Sequence, residues 1–265
     1  MRHFISRLHP ARVFPSAALA TRLAIALMMV IPAIPLAAIA QQYIPPNRGL
    51  PGRRESGGTR GCWQTTAVAP EQHPLTALVP AQNFGTTTHD RPVVFIYIPS
   101  HLAEQAVAAE FSLADADDNE LYKFTYQVTH ASGVIQLNLP DAANLPPLEV
   151  GQDYRWTFAL LCDRVDPSAN MVVESWVQRI APSPELSAAL EQAPAGTEPS
   201  LYAESGIWYD AIASLAAQST PSATAWRTLL ESVGLETLAA EVGASPLTLT
   251  PPPPLEVGDN GELTP

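Results

Sequence analysis

The chain has 265 residues, with 14 Lys and Arg against 26 Asp and Glu, a formal net charge of −12. Only one lysine, Lys123, occurs anywhere. So acidic a surface repels phosphate backbones and anionic lipid, so no nucleic-acid partner is expected.

The cations are unevenly spread. Arg2, Arg7, Arg12 and Arg22 fall in the first forty residues, which hold no Asp or Glu. An apolar run from Leu23 to Ala40, broken only by Pro32 and Pro35, ends in Ala38-Ile39-Ala40. Basic head, apolar middle and small-residue exit predict a secretory signal cleaved after Ala40. A retained anchor is the alternative, since about 18 apolar residues are long enough to span a bilayer. The prolines near the exit, and the lack of a basic stop after Ala40, argue against a stable span once the signal is cut. The body is therefore expected to be exported, periplasmic or extracellular. Losing four arginines leaves it ten cations against 26 acids, a net of −16.

Residues 41–72 follow as a Gly-, Pro- and Arg-rich arm. Its segment 41–61 has no apolar period and reads as extended and mobile. Arg48, Arg53, Arg54 and Arg60 lie here. A basic arm on an acidic body is expected to fold back onto it; contact with an acidic partner or a lipid headgroup, through Arg60 for example, is the alternative. Cys62 ends this stretch, and Cys162 lies 100 residues on. In an oxidising compartment the pair is expected to bridge, two free buried thiols being the other reading. No CxxC motif occurs, so a bridge here would be a staple.

Residues 73–182 carry short runs of Val, Ile, Phe, Tyr and Thr between turn clusters. Strands are predicted over 93–98, 110–115, 121–129, 134–139, 154–162 and 171–180. Six strands with turns every 8–14 residues predict an antiparallel, immunoglobulin-like β-sandwich. Tyr154, Trp156, Phe158, Leu160 and Cys162 share one face of the fifth run, and Tyr122, Phe124, Tyr126 and Val128 one face of the third. Such rows are expected to be core.

After Pro182 the period turns helical, predicting a small helical cap over 183–243. Ser183-Pro184-Glu185 offers an N-cap with Pro at the first position of a helix to about 192. Helices are also predicted over 199–217, 222–233 and 235–242, with Gly234 closing the third. Residues 244–265, with four consecutive prolines, read as a disordered tail.

Chemistry is sparse. Asp115, Asp117 and Asn119 match the start of a calcium loop, but Glu120 replaces its glycine and Tyr126 its bidentate acid, so a solvated turn is predicted. Of His73, His89, His101 and His130 none pairs at zinc-ligand spacing. No G-x-S-x-G occurs, and 57–61 lacks the Lys of a phosphate loop. No catalytic residue, metal or cofactor is therefore expected. Two clusters stand out as binding candidates. Trp176 and Arg179 lie on opposite faces of the sixth strand. Trp208, Tyr209 and Asp210 follow Gly206, read as a mid-helix glycine admitting another element. Both clusters are expected at the seam between strands and helices, where ligand clefts form.

The order GGTRGC (57–62), LTALVP (75–80), RPVVFIYIP (91–99), LEVGQDYRWTFALLCD (148–163), VESWVQRI (173–180), YAESGIWYDAIASLA (202–216) and WRTLLESVGL (226–235) resembles an exported family, mainly cyanobacterial, known as domain of unknown function number 928. Where that family commonly has glycine before the strand-six Trp, this chain has Ser175. PSAN (167–170) stands in place of an Arg-Ser-containing stretch. The resemblance implies an exported cyanobacterial setting and no reaction or catalytic residue. The leading expectation is a non-catalytic binding module of the cell envelope, with an envelope protein or a membrane receptor as partner. A periplasmic hydrolase of envelope polymers and a structural envelope component are the alternatives.

Overall fold

The computed structural model describes residues 42–57, 62, 73–126, 128, 132–139, 145–163, 166–220, 222–240, 246–249, 256–257 and 263–264. The chain divides into two units, Met1–Ala37 and Ala38–Pro265, and the first lies outside the described residues. So do Ala40, Arg60 and His130.

Strands β1 (Thr76–Ala77), β2 (Phe84–Thr87) and β3 (Val93–Ile98) come first, then the single turn α1 (Ser100–Ala103). Next come β4 (Ala108–Asp115), β5 (Glu120–Tyr126), β6 (Gly133–Asn138), β7 (Asp153–Leu161) and β8 (Met171–Arg179). Helices α2 (Pro184–Gln192), α3 (Glu198–Glu204), α4 (Trp208–Ala216), α5 (Ala223–Glu231) and α6 (Glu236–Ala239) follow. The short strands β9 (Leu247–Leu249), β10 (Glu256–Val257) and β11 (Leu263–Thr264) close the chain. The protein is thus mainly β, with two sheets in the order β1-β3-β6-β9 and β2-β8-β7-β4-β5, and a separate β10–β11 pair.

The alternating pattern places the core. Along β7, Tyr154, Trp156, Phe158 and Leu160 are buried, and Cys162 just beyond is half-buried. Along β5, Tyr122 and Tyr126 are buried, and Phe124 packs partly buried between them. Buried side chains of both sheets and of α3–α6 join one continuous hydrophobic cluster. Cys62 and Cys162 are disulfide-bonded, with Cα atoms 5.2 Å apart. Closing a loop of that length contributes about 4–5 kcal/mol on the chain-entropy account.

Three features depart from the sequence expectation. Pairing is not wholly antiparallel: β2 runs parallel to β8, and β9 parallel to β6. Each parallel partner arrives from far along the chain, so no hairpin dictates its direction. The FGTT run of β2 is too short and Gly-broken to show a period. Second, the helix expected over 199–217 is two helices. Gly206, at φ +74°, ends α3, and Ile207 N–H closes back on the Tyr202 carbonyl at 2.9 Å. Because α3 and α4 bury neighbouring faces, the apolar period runs on through the break. Third, within the tail, Leu247–Leu249 pairs with β6, a short β-prone Leu-Thr-Leu run meeting an open strand edge.

Residues 42–57 lie on the body. Tyr43 is buried, its ring edge-on to Trp208 at 5.1 Å. Ile44 N–H donates to the Ala203 carbonyl at 3.1 Å. The Arg48 guanidinium sits 4.7 Å from the Phe84 ring centre and pairs with the Asp153 carboxylate. Arg53 bridges to Glu174 in β8, Glu55 to Thr76 in β1, and Arg54 donates to the Val233 and Gly234 carbonyls. The arm thereby ties both sheets and the end of α5 together, Arg53 through its backbone and Arg48 and Arg54 through their guanidinium groups.

Candidate functional site

Helix α4 packs against β2 and β3 and carries three of the sequence candidates in its first turn. Gly85 of β2 makes room: a Cβ there would come within 2.9 Å of the Tyr209 ring and 3.1 Å of Trp208 Cβ. Trp208 is fully buried and its Nε1–H donates to the Leu78 carbonyl at 2.9 Å. The Tyr209 hydroxyl accepts from Trp156 Nε1–H at 2.7 Å and donates to the Trp176 carbonyl at 3.1 Å. Burial pushes its ionisation well above the usual phenol range, partly offset by Trp156 and by Ser175 alongside. Ser175 therefore stands under the one phenol that joins α4 to β7 and β8.

The strand candidates are engaged elsewhere. Trp176 points to the opposite side of β8, and its Nε1–H donates to the Pro51 carbonyl of the arm at 2.8 Å. Arg179 donates to the Leu148 carbonyl at 2.6 Å, pinning the loop before β7. The fold thus brings Trp208, Tyr209 and the Trp176 backbone together, while the Trp176 and Arg179 side chains bind separate loops.

Asp210 differs from its neighbours. It is 3% exposed, yet it borders a cavity of about 400 Å³ lined also by His89, Val93, Gln136, Glu198, Tyr202, Ala213, Ser214 and Ala217. Its carboxylate accepts from Thr87 Oγ1 at 2.5 Å, from Thr88 N–H at 2.9 Å and from the Thr88 hydroxyl. His89 Nδ1 lies 3.2 Å from the same carboxylate. Four donors fill the acceptor positions of one buried carboxylate, which removes the cost of burying it unpaired. The hydrogen bond to Asp210 raises the His89 pKa above its ordinary value; burial and Arg179 oppose it, and the charges of Asp210 and Asp90 add to it. With Nδ1–H committed to Asp210, the neutral ring keeps Nε2 as its free acceptor. The His89 side chain is 63% exposed.

Tyr202 and Glu198 of α3 complete this groove. Burial and the charge of Asp210 raise the Tyr202 hydroxyl; Glu198 adds to this and Thr88 opposes it. One Glu198 oxygen accepts from Gly196 N–H at 2.8 Å. A second cavity, about 530 Å³, adjoins through Glu198, Ser214 and Ala217. Sequence reading did not single out His89, Glu198 or Tyr202. The run Thr86-Thr87-Thr88-His89 is the one local sign, four polar groups at a strand end, but its acid lies more than 120 residues away.

Elsewhere the acidic loop closes on itself. Asp115 accepts from the Asp117 and Asn119 backbone N–H groups at 2.9 Å and from the Asn119 side chain at 2.8 Å, as a turn acid does. Among the described residues no group of three or more His, Cys, Asp or Glu is placed to hold a metal, and no helix is long and apolar enough to cross a membrane.

With this geometry in hand, comparison with known proteins gives one decisive match. The family model described as a domain of unknown function, DUF928, covers residues 55–242. The chain belongs to the DUF928 family. That span reaches from the arm through α6, so the disulfide and the groove both fall within the family domain. No curated protein matches the chain. Among solved structures it is similar to a fibronectin type III domain of human collagen α-1(XX), at 15% identity and a TM-score of 0.24, over 48% of this chain and 94% of that one. A likeness that slight carries no argument about fold or function.

Proposed function

We propose that this DUF928 protein is a non-catalytic, extracytoplasmic binding module of the cell envelope. In this reading the two sheets form an immunoglobulin-like sandwich, α2–α6 form a C-terminal cap, and the groove at His89 receives the partner, an envelope protein or the outer domain of a membrane receptor. Export rests on the N-terminal signal pattern, and the Cys62–Cys162 disulfide fits an oxidising, cyanobacterial periplasm. The observation that carries the reading is the groove itself. There His89, Glu198, Tyr202 and Ser214, from the segment after β2 and from α3 and α4, line an open cavity of about 400 Å³.

The hydrolase reading draws on the same cavity, because two carboxylates, Glu198 and Asp210, border it. Asp210 weakens that case. A carboxylate already holding four donors has no oxygen free to approach a sugar carbon, as a cleaving nucleophile must.

The test is site-specific photocrosslinking in the native cells. A photoreactive side chain at Ala217, exposed on the groove wall, is expected to trap one envelope component. A second substitution, Ala213→Trp, which plugs the groove, should abolish the adduct. Turnover of an envelope glycan that His89→Ala eliminates, without any trapped partner, would establish the hydrolase instead.

A further inference from the structure

The groove's lining also specifies a ligand chemistry, and this step rests on the binding reading above. Val93, Ala213 and Ala217 give the cavity an apolar wall. Among the lining groups, two are carboxylates, Glu198 and Asp210, and the Tyr202 hydroxyl lies within the field of both. Glu198 keeps an oxygen beyond the one bonded to Gly196 N–H. Gln136 and Ser214 add carbonyl and hydroxyl acceptors, though Ser214 donates its proton to the Ala211 carbonyl at 3.0 Å. Neutral His89 adds the acceptor Nε2. An acceptor-rich, negatively charged pocket with an aliphatic wall matches a head that only donates on a stem that is only apolar. We propose that the groove binds a primary alkylammonium, the chemistry shared by a lysine side chain and a free diamine.

His89 makes this binding pH-dependent. The groups facing it are Asp210 on α4, Asp90 beside it in the chain, Arg179 at the end of β8, and Glu198 and Tyr202 across the groove. When His89 takes up a proton it loses its free acceptor and places a cation beside Arg179, leaving the pocket less negative. Alkylammonium binding is therefore strongest with His89 neutral and falls as the pH drops through its raised pKa. By linkage, a bound ammonium must in turn lower the His89 pKa.

The test is calorimetric and NMR titration of the protein, purified from an exporting host, with glycyl-lysyl-glycine and with putrescine. The peptide is capped at both termini, and its Nε-acetylated form serves as the uncharged control. Binding is expected at about pH 8, weakened at least several-fold at about pH 5, and absent for the acetylated peptide. Glu198→Gln, which retains the oxygen that accepts from Gly196, should weaken it about tenfold. Glu149→Gln, in a separate acidic cleft, should leave it unchanged. The His89 ring signal should titrate at lower pH once the probe is bound. Tighter binding of the peptide assigns the ammonium to a protein partner, and tighter binding of putrescine assigns it to a free amine. Equal binding of the acetylated control, indifference to Glu198→Gln, or no binding of either amine at millimolar concentration overturns the proposal. None of these outcomes touches the groove reading, which Ala217 crosslinking tests by itself.

Discussion

The two sides of α4 come from one nine-residue segment and face different surroundings, the packed body and an open cavity. On one side Trp208 and Tyr209 direct an indole N–H and a hydroxyl into the body, where the Leu78 and Trp176 carbonyls accept them and the Trp156 N–H donates to the Tyr209 oxygen. On the other, Asp210 meets three threonine donors and one histidine, and beyond it Ala213, Ser214 and Ala217 face open space. Large aromatic side chains beside an acid therefore do not by themselves mark a binding surface. The useful distinction is between polar atoms that close on their own chain and those left facing a cavity. By that measure Trp208 and Tyr209 are the seam, and His89, Tyr202 and Glu198 are the surface.

The sharpest way to probe the closed side is Trp208→Ala. It removes a fully buried indole, its contact with Tyr43 and its bond to Leu78, and is expected to cost about 3–5 kcal/mol in denaturant unfolding. A loss below about 1 kcal/mol would show that the seam is not packed as described. Asp210→Ala probes the junction of the two sides. It strands the Thr87 and Thr88 donors within a buried pocket and should cost about 3 kcal/mol. Unlike Trp208→Ala, it should also return the His89 pKa toward its ordinary value, read by ring-proton NMR. Were the His89 titration unmoved, Asp210 would not be its partner in solution.

The sequence made the sheets legible and hid the site, for a single physical reason. Strand and helix periods are local, so the aromatic rows of β5 and β7 and the Ser183 cap of α2, whose Oγ accepts from Leu186 N–H at 3.1 Å, are readable from neighbouring residues. The groove is not local. His89 sits after β2, a four-residue strand with no alternation, and its meaning depends on Asp210 and Tyr202 far along the chain. Zinc-ligand spacing carries no information about His89, because one distant acid orients it. The arm was half legible: its arginines and glycines announced contact with the acidic body, while the burial of Tyr43 required knowing where α3 ends.

That end supplies the next test. Gly206 holds φ at +74°, and a Cβ there would lie 2.7 Å from the Ile44 carbonyl oxygen. Gly206→Ala therefore strains the helix end and pushes the arm away, at an expected cost of about 1–2 kcal/mol. The arm's own response separates these effects. If Ile44 is displaced, trypsin should cut at Arg48, Arg53 or Arg54 markedly faster in the variant. Unchanged cleavage together with lost stability would assign the glycine to helix termination alone.

The smallest effect concerns the open side. His89 gains its partner only in the folded state, and its folded pKa lies above the ordinary value of 6.5. A raised pKa means that the folded protein binds the proton more tightly than the unfolded chain. The resulting stabilisation is fully present below about pH 6.5 and fades as pH rises through the folded pKa. Since the His89 side chain is 63% exposed, solvent screens most of the interaction, and the amplitude should be only a few tenths of a kcal/mol. Comparing wild type with His89→Gln at about pH 5.5 and about pH 8.5 isolates it, because the other titrating groups cancel in the difference. The gap between the two proteins should be larger at the acidic pH. A gap that widens toward alkaline pH would reverse the sign of the pairing and remove His89 from the carboxylate of Asp210, and with it the feature that distinguishes the open side of α4 from the closed one.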